Sequence, residues 1–179
     1  MTSRAPQQAE PLKAVDAVEP SEIYGMPGHL VRRMHQASQA IFDAQVNAAG
    51  IDLTSVQFAA LATIGATPGI DQATLANAIA FDRPTTGGVI DRLEAKGFVR
   101  REITKVDRRM RHLYLEPAGK AILDGATPIV RRVQDLMLEG LTEPERATLL
   151  RLLSKALRAA GDSSRPALRS ASTIRGSVR

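Results

Sequence analysis

Cysteine is absent from this 179-residue chain. That excludes disulfides, cysteine metal sites and any thiol-based redox sensor. Tryptophan is absent too, and aromatic residues make up only 3%. The hydrophobic 44% is therefore mostly Ala, Leu, Val and Ile, with Ala and Leu leading, a composition that favours helices. No run of about 18 apolar residues occurs, so no membrane span and no membrane partner are expected. The opening stretch MTSRAPQQAEPLKAV has no apolar segment of the kind a secretory signal needs, and a cytoplasmic location is the simplest expectation. Also missing are a P-loop, a dinucleotide fingerprint, metal-ligand spacing and a nucleophile elbow. The three histidines, His29, His35 and His112, are scattered. No catalytic residues, metal or other cofactor are expected, and an enzyme is disfavoured.

What the chain does have is positive charge in one place. The formal net charge is +5, which permits a nucleic-acid partner without requiring one. The stretch KVDRRMRH, residues 105–112, holds Lys105, Arg108, Arg109 and Arg111, interrupted by Asp107. Counted from Arg92 to Arg111, the cations also include Lys96, Arg100 and Arg101, against Glu94, Glu102 and Asp107. A local excess of this size suits an anion-binding face; a solvated basic loop is the alternative.

Periodicity organises the rest. Residues 1–22 are rich in Pro, Gln, Ala and acids and read as a flexible arm; residues 161–179 read as a disordered basic tail. Leu30, Met34, Ala37 and Ile41 recur at helical spacing, predicting a helix over about 28–49 that Gly50 stops. LTSVQF carries a capping box, Thr54 with Gln57, and a staple from Leu53 to Phe58. Asp71 and Asp82 are candidate N-caps for two short helices, the second with Pro84 in its first turn and Gly97 just past its end. FVRREI and HLYLE alternate with period two, giving a hairpin around the basic loop. A helix over 117–139 follows, which Pro128 should bend or split, and a last helix opens on a second capping box, Thr142 with Glu145, and runs to about Ala160. The expected fold is mainly α with a small β-hairpin: a winged helix-turn-helix lobe over 51–116, and a helical dimerisation region over 23–50 and 117–160. In such a lobe the second helix of the motif enters the major groove, and the basic hairpin tip can reach the neighbouring minor groove.

DRLEAKGFVRREITKVDRRMRHLYLEPAGKAIL, residues 91–123, resembles the signature of the MarR family of transcriptional regulators: end of recognition helix, strand, D-R-R wing, strand, then a T/P-x-G start to a dimerisation helix. The helix order from about 25 to 160 fits as well. MPGHLVRRMHQASQAIF is similar to the first helix of MarR-type repressors of aromatic-acid catabolism. The resemblance implies a homodimer whose outer helices intertwine, gripping a pseudo-palindromic double-stranded DNA operator. It also implies release by a small effector, an anionic aromatic, bound among the first, second and fifth family helices. A non-specific architectural nucleic-acid-binding protein, or an activator or dual regulator on the same fold, are the alternatives.

Residue by residue, Arg83, Thr85 and Thr86 lie at the start of the recognition helix, where a helix N-terminus favours phosphate; simple capping is the plain alternative for the threonines. Arg92, one turn beyond Gly87 and Gly88, is a phosphate candidate or a partner of Asp91 or Glu94. Two glycines inside a helix cost about 1 kcal/mol each, and the pair implies either close backbone approach to the duplex or the loss of a usual side-chain contact. By resemblance, Arg108 and Arg109 are the D-R-R wing, with one arginine oriented by Asp107 and another in a narrow minor groove; Arg111 adds a phosphate contact. For the effector, the candidates are Tyr24, His29, Arg33 and His35 near the first helix and Phe58 as a ring wall, each with ordinary packing as the alternative.

Overall fold

The computed structural model describes residues 20–103 and 111–174, with side chains over 22–102 and 111–161. In order, the elements are α1 (Pro20–Ile23), α2 (Pro27–Ala48), α3 (Ser55–Ala66), β1 (Ile70–Asp71), α4 (Gln72–Ala78), α5 (Arg83–Ala95), β2 (Val99–Ile103), β3 (Arg111–Leu115), α6 (Pro117–Met137) and α7 (Glu143–Ile174). The chain is mainly helical with one small antiparallel sheet, and it divides into two compact units, residues 1–37 and 38–179.

In the first unit, the N–H groups of Gly25 and Met26 donate back to the carbonyls of Glu22 and Ile23 and close α1. The end of the expected flexible arm is thus helical from Pro20; residues 1–19 lie outside the described residues. Tyr24 meets His29 edge-on, with ring centroids 5.6 Å apart.

In the second unit, local chemistry sets the helix starts. Thr54 and Gln57 form the full reciprocal capping box of α3. Asp71 accepts from the N–H groups of Ala73 and Thr74. Asp82 accepts from the N–H of Thr85 at 2.8 Å, with Pro84 in the first turn of α5. Gly97 ends α5 at φ +70°, a conformation glycine adopts without a Cβ penalty. The Thr142 pairing is different. Its N–H and hydroxyl both donate to the Glu145 carboxylate, so the reciprocal half of the expected box is not formed.

The apolar stripes meet in two clusters. One joins Leu61 and Ile64 of α3, Leu75 of α4, Val89, Ile90 and Leu93 of α5, Val99 and Leu113 of the sheet and Ala126 of α6. The other joins Phe42 and Val46 of α2 to Val133 of α6. α6 is one helix across Pro128 rather than two. Buried Ala126 and Val133 anchor it on both sides, and the carbonyl that loses its N–H partner belongs to Asp124, an exposed residue that water can serve. The sheet has three strands in the order β1-β3-β2, because Ile70 and Asp71 add to Leu113 and His112 of the hairpin. α7 runs on to Ile174 instead of ending near Ala160. Gly161 and Pro166 both fall inside that span, and nothing in the local sequence explains its continuation; residues 175–179 of the expected tail are outside the described residues.

The caps carry a pH dependence. The Asp71 carboxyl lies below the ordinary aspartate range, chiefly through the Thr74 hydroxyl and then its N–H; the Thr85 N–H and hydroxyl do the same for Asp82. A folded pKa below the unfolded one gives stability that is complete above the unfolded value of about 3.9 and drains away as pH falls through the depressed value. The thermal midpoint should therefore hold to about pH 4 and fall below it, and Asp82→Asn should flatten part of that acid limb. Calorimetry at successive pH values checks this, and an unchanged limb in Asp82→Asn would contradict it.

Candidate nucleic-acid interface and effector residues

α4 and α5 form the helix-turn-helix. They pack closely: a Cβ on Gly87 would lie 3.1 Å from the Gln72 amide nitrogen, whereas one on Gly88 would meet nothing within 4 Å. Gly87 therefore has a packing reason, and Gly88 sits on an open face of the recognition helix. Thr86, Val89, Ile90 and Leu93 are the buried side of α5. Thr86 is fully buried and its hydroxyl donates to the Asp82 carbonyl at 2.8 Å. The expectation that Thr86 contacts DNA is corrected on this ground. Thr85 is exposed, and its hydroxyl donates to the Asp82 carboxylate at 2.7 Å, bracing the Asp82 cap from the outer side.

The cations separate into two groups. Lys96 donates to the Asp52 carbonyl and carboxylate at 2.8 and 2.7 Å, tying the end of α5 to the segment before α3. Arg101 on β2 is a clamp: its guanidinium reaches both Asp91 and Glu94 on α5, each at 2.5 Å, with the side chain only 15% exposed. Arg100 pairs with Glu102 and, at 2.9 Å, with Glu116. These three are structural charges and do not count toward an anion-binding face. Arg83, Arg92 and Arg111 are exposed and hold no ion pair among the described residues. The alternative pairing of Arg92 with Asp91 or Glu94 does not form, because Arg101 takes both acids. Lys105, Asp107, Arg108 and Arg109 lie outside the described residues, so the wing tip rests on its sequence alone.

Sequence reading missed the Arg101 clamp, whose partners are seven and ten residues away, and the contact of Gly119 with Phe98. A Cβ on Gly119 would fall inside the Phe98 carbonyl oxygen and 2.8 Å from its carbon. The glycine of the T/P-x-G pattern was the available signal.

Of the five effector candidates, Tyr24, His29, Arg33 and His35 lie in the first unit and Phe58 in the second. Tyr24 and His29 are paired, and Nε2 of His29 is buried with no hydrogen-bond partner among the described residues. Arg33 and His35 are exposed on α2. Phe58 packs against both hydrophobic clusters, which is core packing. Among the described residues, no group of three or more His, Cys, Asp or Glu could hold a metal ion, and no helix is long and apolar enough to cross a membrane.

A helix-turn-helix followed directly by a winged hairpin defines a winged-helix, DNA-binding transcriptional regulator. The MarR family model matches residues 53–110, and the HTH-type transcriptional repressor NicR of Pseudomonas putida is 35% identical over 136 residues, 76% of this chain and 85% of that protein. The chain belongs to the MarR family of transcriptional regulators. Among solved structures it is similar to Bordetella bronchiseptica BpsR, described with regulation of its DNA binding by 6-hydroxynicotinic acid (TM-score 0.71, 29% identity, covering 78% of this chain and 96% of that one). It is also similar to the transcriptional repressor CouR bound to a 23-mer DNA duplex (TM-score 0.70, 29% identity, covering 79% and 99%).

Proposed function

We propose that this regulator is a repressor that binds a pseudo-palindromic operator as a homodimer and is released by a small aromatic acid. The observation that carries the reading is the sorting of charge around α5: the cations behind the recognition helix are tied to acids, while Arg83 and Arg92 on its outer side are left for phosphate. Arg111 continues that set onto the hairpin, next to the Arg108 and Arg109 pair. A second copy is supported by Leu150 and Leu157, 56% and 72% exposed, seven residues apart and hence on one face of α7. Exposed leucines on a long helix are what a helical dimer buries. Two-fold symmetry then sets two lobes about one helical turn of DNA apart. An acid that binds better to another lobe spacing shifts the dimer population and lowers operator affinity by its differential affinity for the two states. The regulation of BpsR and the DNA-bound state of CouR support both halves of this cycle.

The test is fluorescence anisotropy with the promoter fragment upstream of this gene, with and without 6-hydroxynicotinate or benzoate. Tight binding that persists against excess random duplex and weakens with either acid supports the reading. Equal affinity for any sequence would favour an architectural protein instead, and stronger transcription on binding an activator.

Within this reading the two classes of arginine give different salt behaviour. Arg92→Ala should weaken binding and reduce the slope of log affinity against log salt by about 1 per lobe, the signature of a lost phosphate contact. Arg101→Ala should weaken binding about threefold to tenfold, a loss of helix placement of about 1 kcal/mol, while the slope stays put. A reduced slope in Arg101→Ala would show that it grips phosphate directly.

A further inference from the structure

α5 contains two consecutive glycines, and the packing accounts for one of them. Gly87 backs onto α4: a Cβ there would lie 3.1 Å from the Gln72 amide nitrogen, which itself donates to the Arg83 carbonyl. Gly88 has no such neighbour. A Cβ there would meet nothing within 4 Å, and a glycine inside a helix costs stability relative to alanine. No packing reason among the described residues explains it. Glycine's other use is to let backbone and ligand come close.

The place of Gly88 on the helix decides which ligand that is. The buried stripe of α5 is Thr86, Val89, Ile90 and Leu93. At about 3.6 residues per turn, the row opposite is Pro84, Gly88, Asp91 and Ala95. Proline, glycine and alanine bring no side-chain donor, and an ionised aspartate only accepts; Asp91 is moreover held by Arg101. Thr85, beside the row, has its hydroxyl proton on the Asp82 carboxylate, which leaves it a methyl group and an acceptor oxygen to offer. Arg83 and Arg92 stand to either side. The front of the helix thus lacks side-chain donors along its centre. It is also recessed there, because position 88 is ringed by Pro84, Thr85, Asp91 and Arg92, three and four residues away.

The second helix of such a motif sets its N-terminal residues against base edges in the major groove. Each base offers a different edge there. Guanine presents two acceptors, which need donors, and would face the Asp91 carboxylate instead. Thymine presents a C5-methyl group, which needs an apolar surface. The missing Cβ of Gly88 makes room for one methyl against the helix backbone, with Pro84 and Thr85 at its border.

We infer that α5 reads its half-site through a thymine methyl group seated at Gly88, between Pro84 and Thr85, and not through side-chain hydrogen bonds to guanine. The inference rests on the operator-binding reading above and gives it a base preference. Arg83 and Arg92 hold phosphate on either side and fix the register of the helix in the groove.

The test uses the full chain and the upstream promoter fragment in three forms: natural, with uracil in place of every thymine, and with 7-deazaguanine in place of every guanine. Uracil lacks the methyl group, and 7-deazaguanine lacks the N7 acceptor. Anisotropy should show a loss of about tenfold on the uracil duplex, the burial of one methyl group in each of two half-sites. The 7-deazaguanine duplex should differ from the natural one by less than about twofold. Gly88→Ala fills the recess. It should weaken binding to the natural duplex about threefold to tenfold and bring the thymine-to-uracil ratio close to one, while its thermal midpoint holds or rises. Equal affinity for natural and uracil duplexes overturns the inference. So does an undiminished thymine preference in Gly88→Ala. A greater loss on the 7-deazaguanine duplex overturns it as well, by putting Arg83 or Arg92 on guanine N7. In all three cases a preference for the natural fragment over random duplex leaves the repressor reading standing. No such preference sinks that reading, and this inference with it.

Discussion

Gly119→Ala lowers the thermal midpoint by about 10 °C, the result of adding one methyl group where the chain has no room. The methyl would sit inside the carbonyl oxygen of Phe98, and that oxygen also accepts the Glu116 N–H at 2.9 Å. Backbone on both sides must move, and the hydrogen bond that leads β3 into α6 must lengthen. Overpacking against a flexible side chain can be relieved by a rotamer change; against a carbonyl it cannot. A cost on the order of 3 kcal/mol follows, a large fraction of the 5–15 kcal/mol typical of a folded domain, and roughly 2–4 °C is lost per kcal/mol at this size. Gly125→Ala on the same helix is the control. A Cβ there meets nothing within 4 Å, so removing a helical glycine should be neutral or stabilising by up to about 1 kcal/mol. Equal midpoints for the two variants, measured by calorimetry, would contradict the close approach.

The second large effect is on operator binding. Arg109→Ala should reduce affinity by on the order of a hundredfold or more. Arg109 stands in the D-R-R stretch of the family signature, and an arginine in a narrow minor groove meets the strongest negative potential on the duplex. A specific arginine contact is worth about 1–3 kcal/mol, and a homodimer removes two at once, about 2–6 kcal/mol in all. The thermal midpoint should be unchanged, because Arg109 belongs to a polar, basic stretch of sequence rather than to an apolar stripe. Anisotropy titrations and a melting curve on the same sample separate the two effects. A loss of less than about threefold would mean the wing does not read this groove.

Much of the fold was legible because its signals are local. Thr54 with Gln57, Asp71, Asp82 and Gly97 each act within three or four residues, and each does what its chemistry indicated. Long-range features were not. β1 is two residues, too short for any period, and becomes a strand only because β3 offers Leu113 and His112 as partners. Arg101 reads as one more cation in a basic run until folding brings Asp91 and Glu94 to it. Thr86 is the instructive error. It lies three, four and seven residues before Val89, Ile90 and Leu93, on the same helical stripe, so its burial was present in the spacing; the attraction of a hydroxyl near a helix start outweighed the periodicity. Pro128 failed to split α6 because buried residues on both sides hold the helix together.

The proposed repressor needs two copies of this chain on one operator. Sedimentation of the purified protein with its own upstream promoter duplex, in the presence of excess random duplex, tests it most directly. The expected result is a dimer in the free state and a complex of two chains per duplex that dissociates as salt rises. A free monomer that ignores the promoter fragment, or that coats it and random duplex alike, would contradict it.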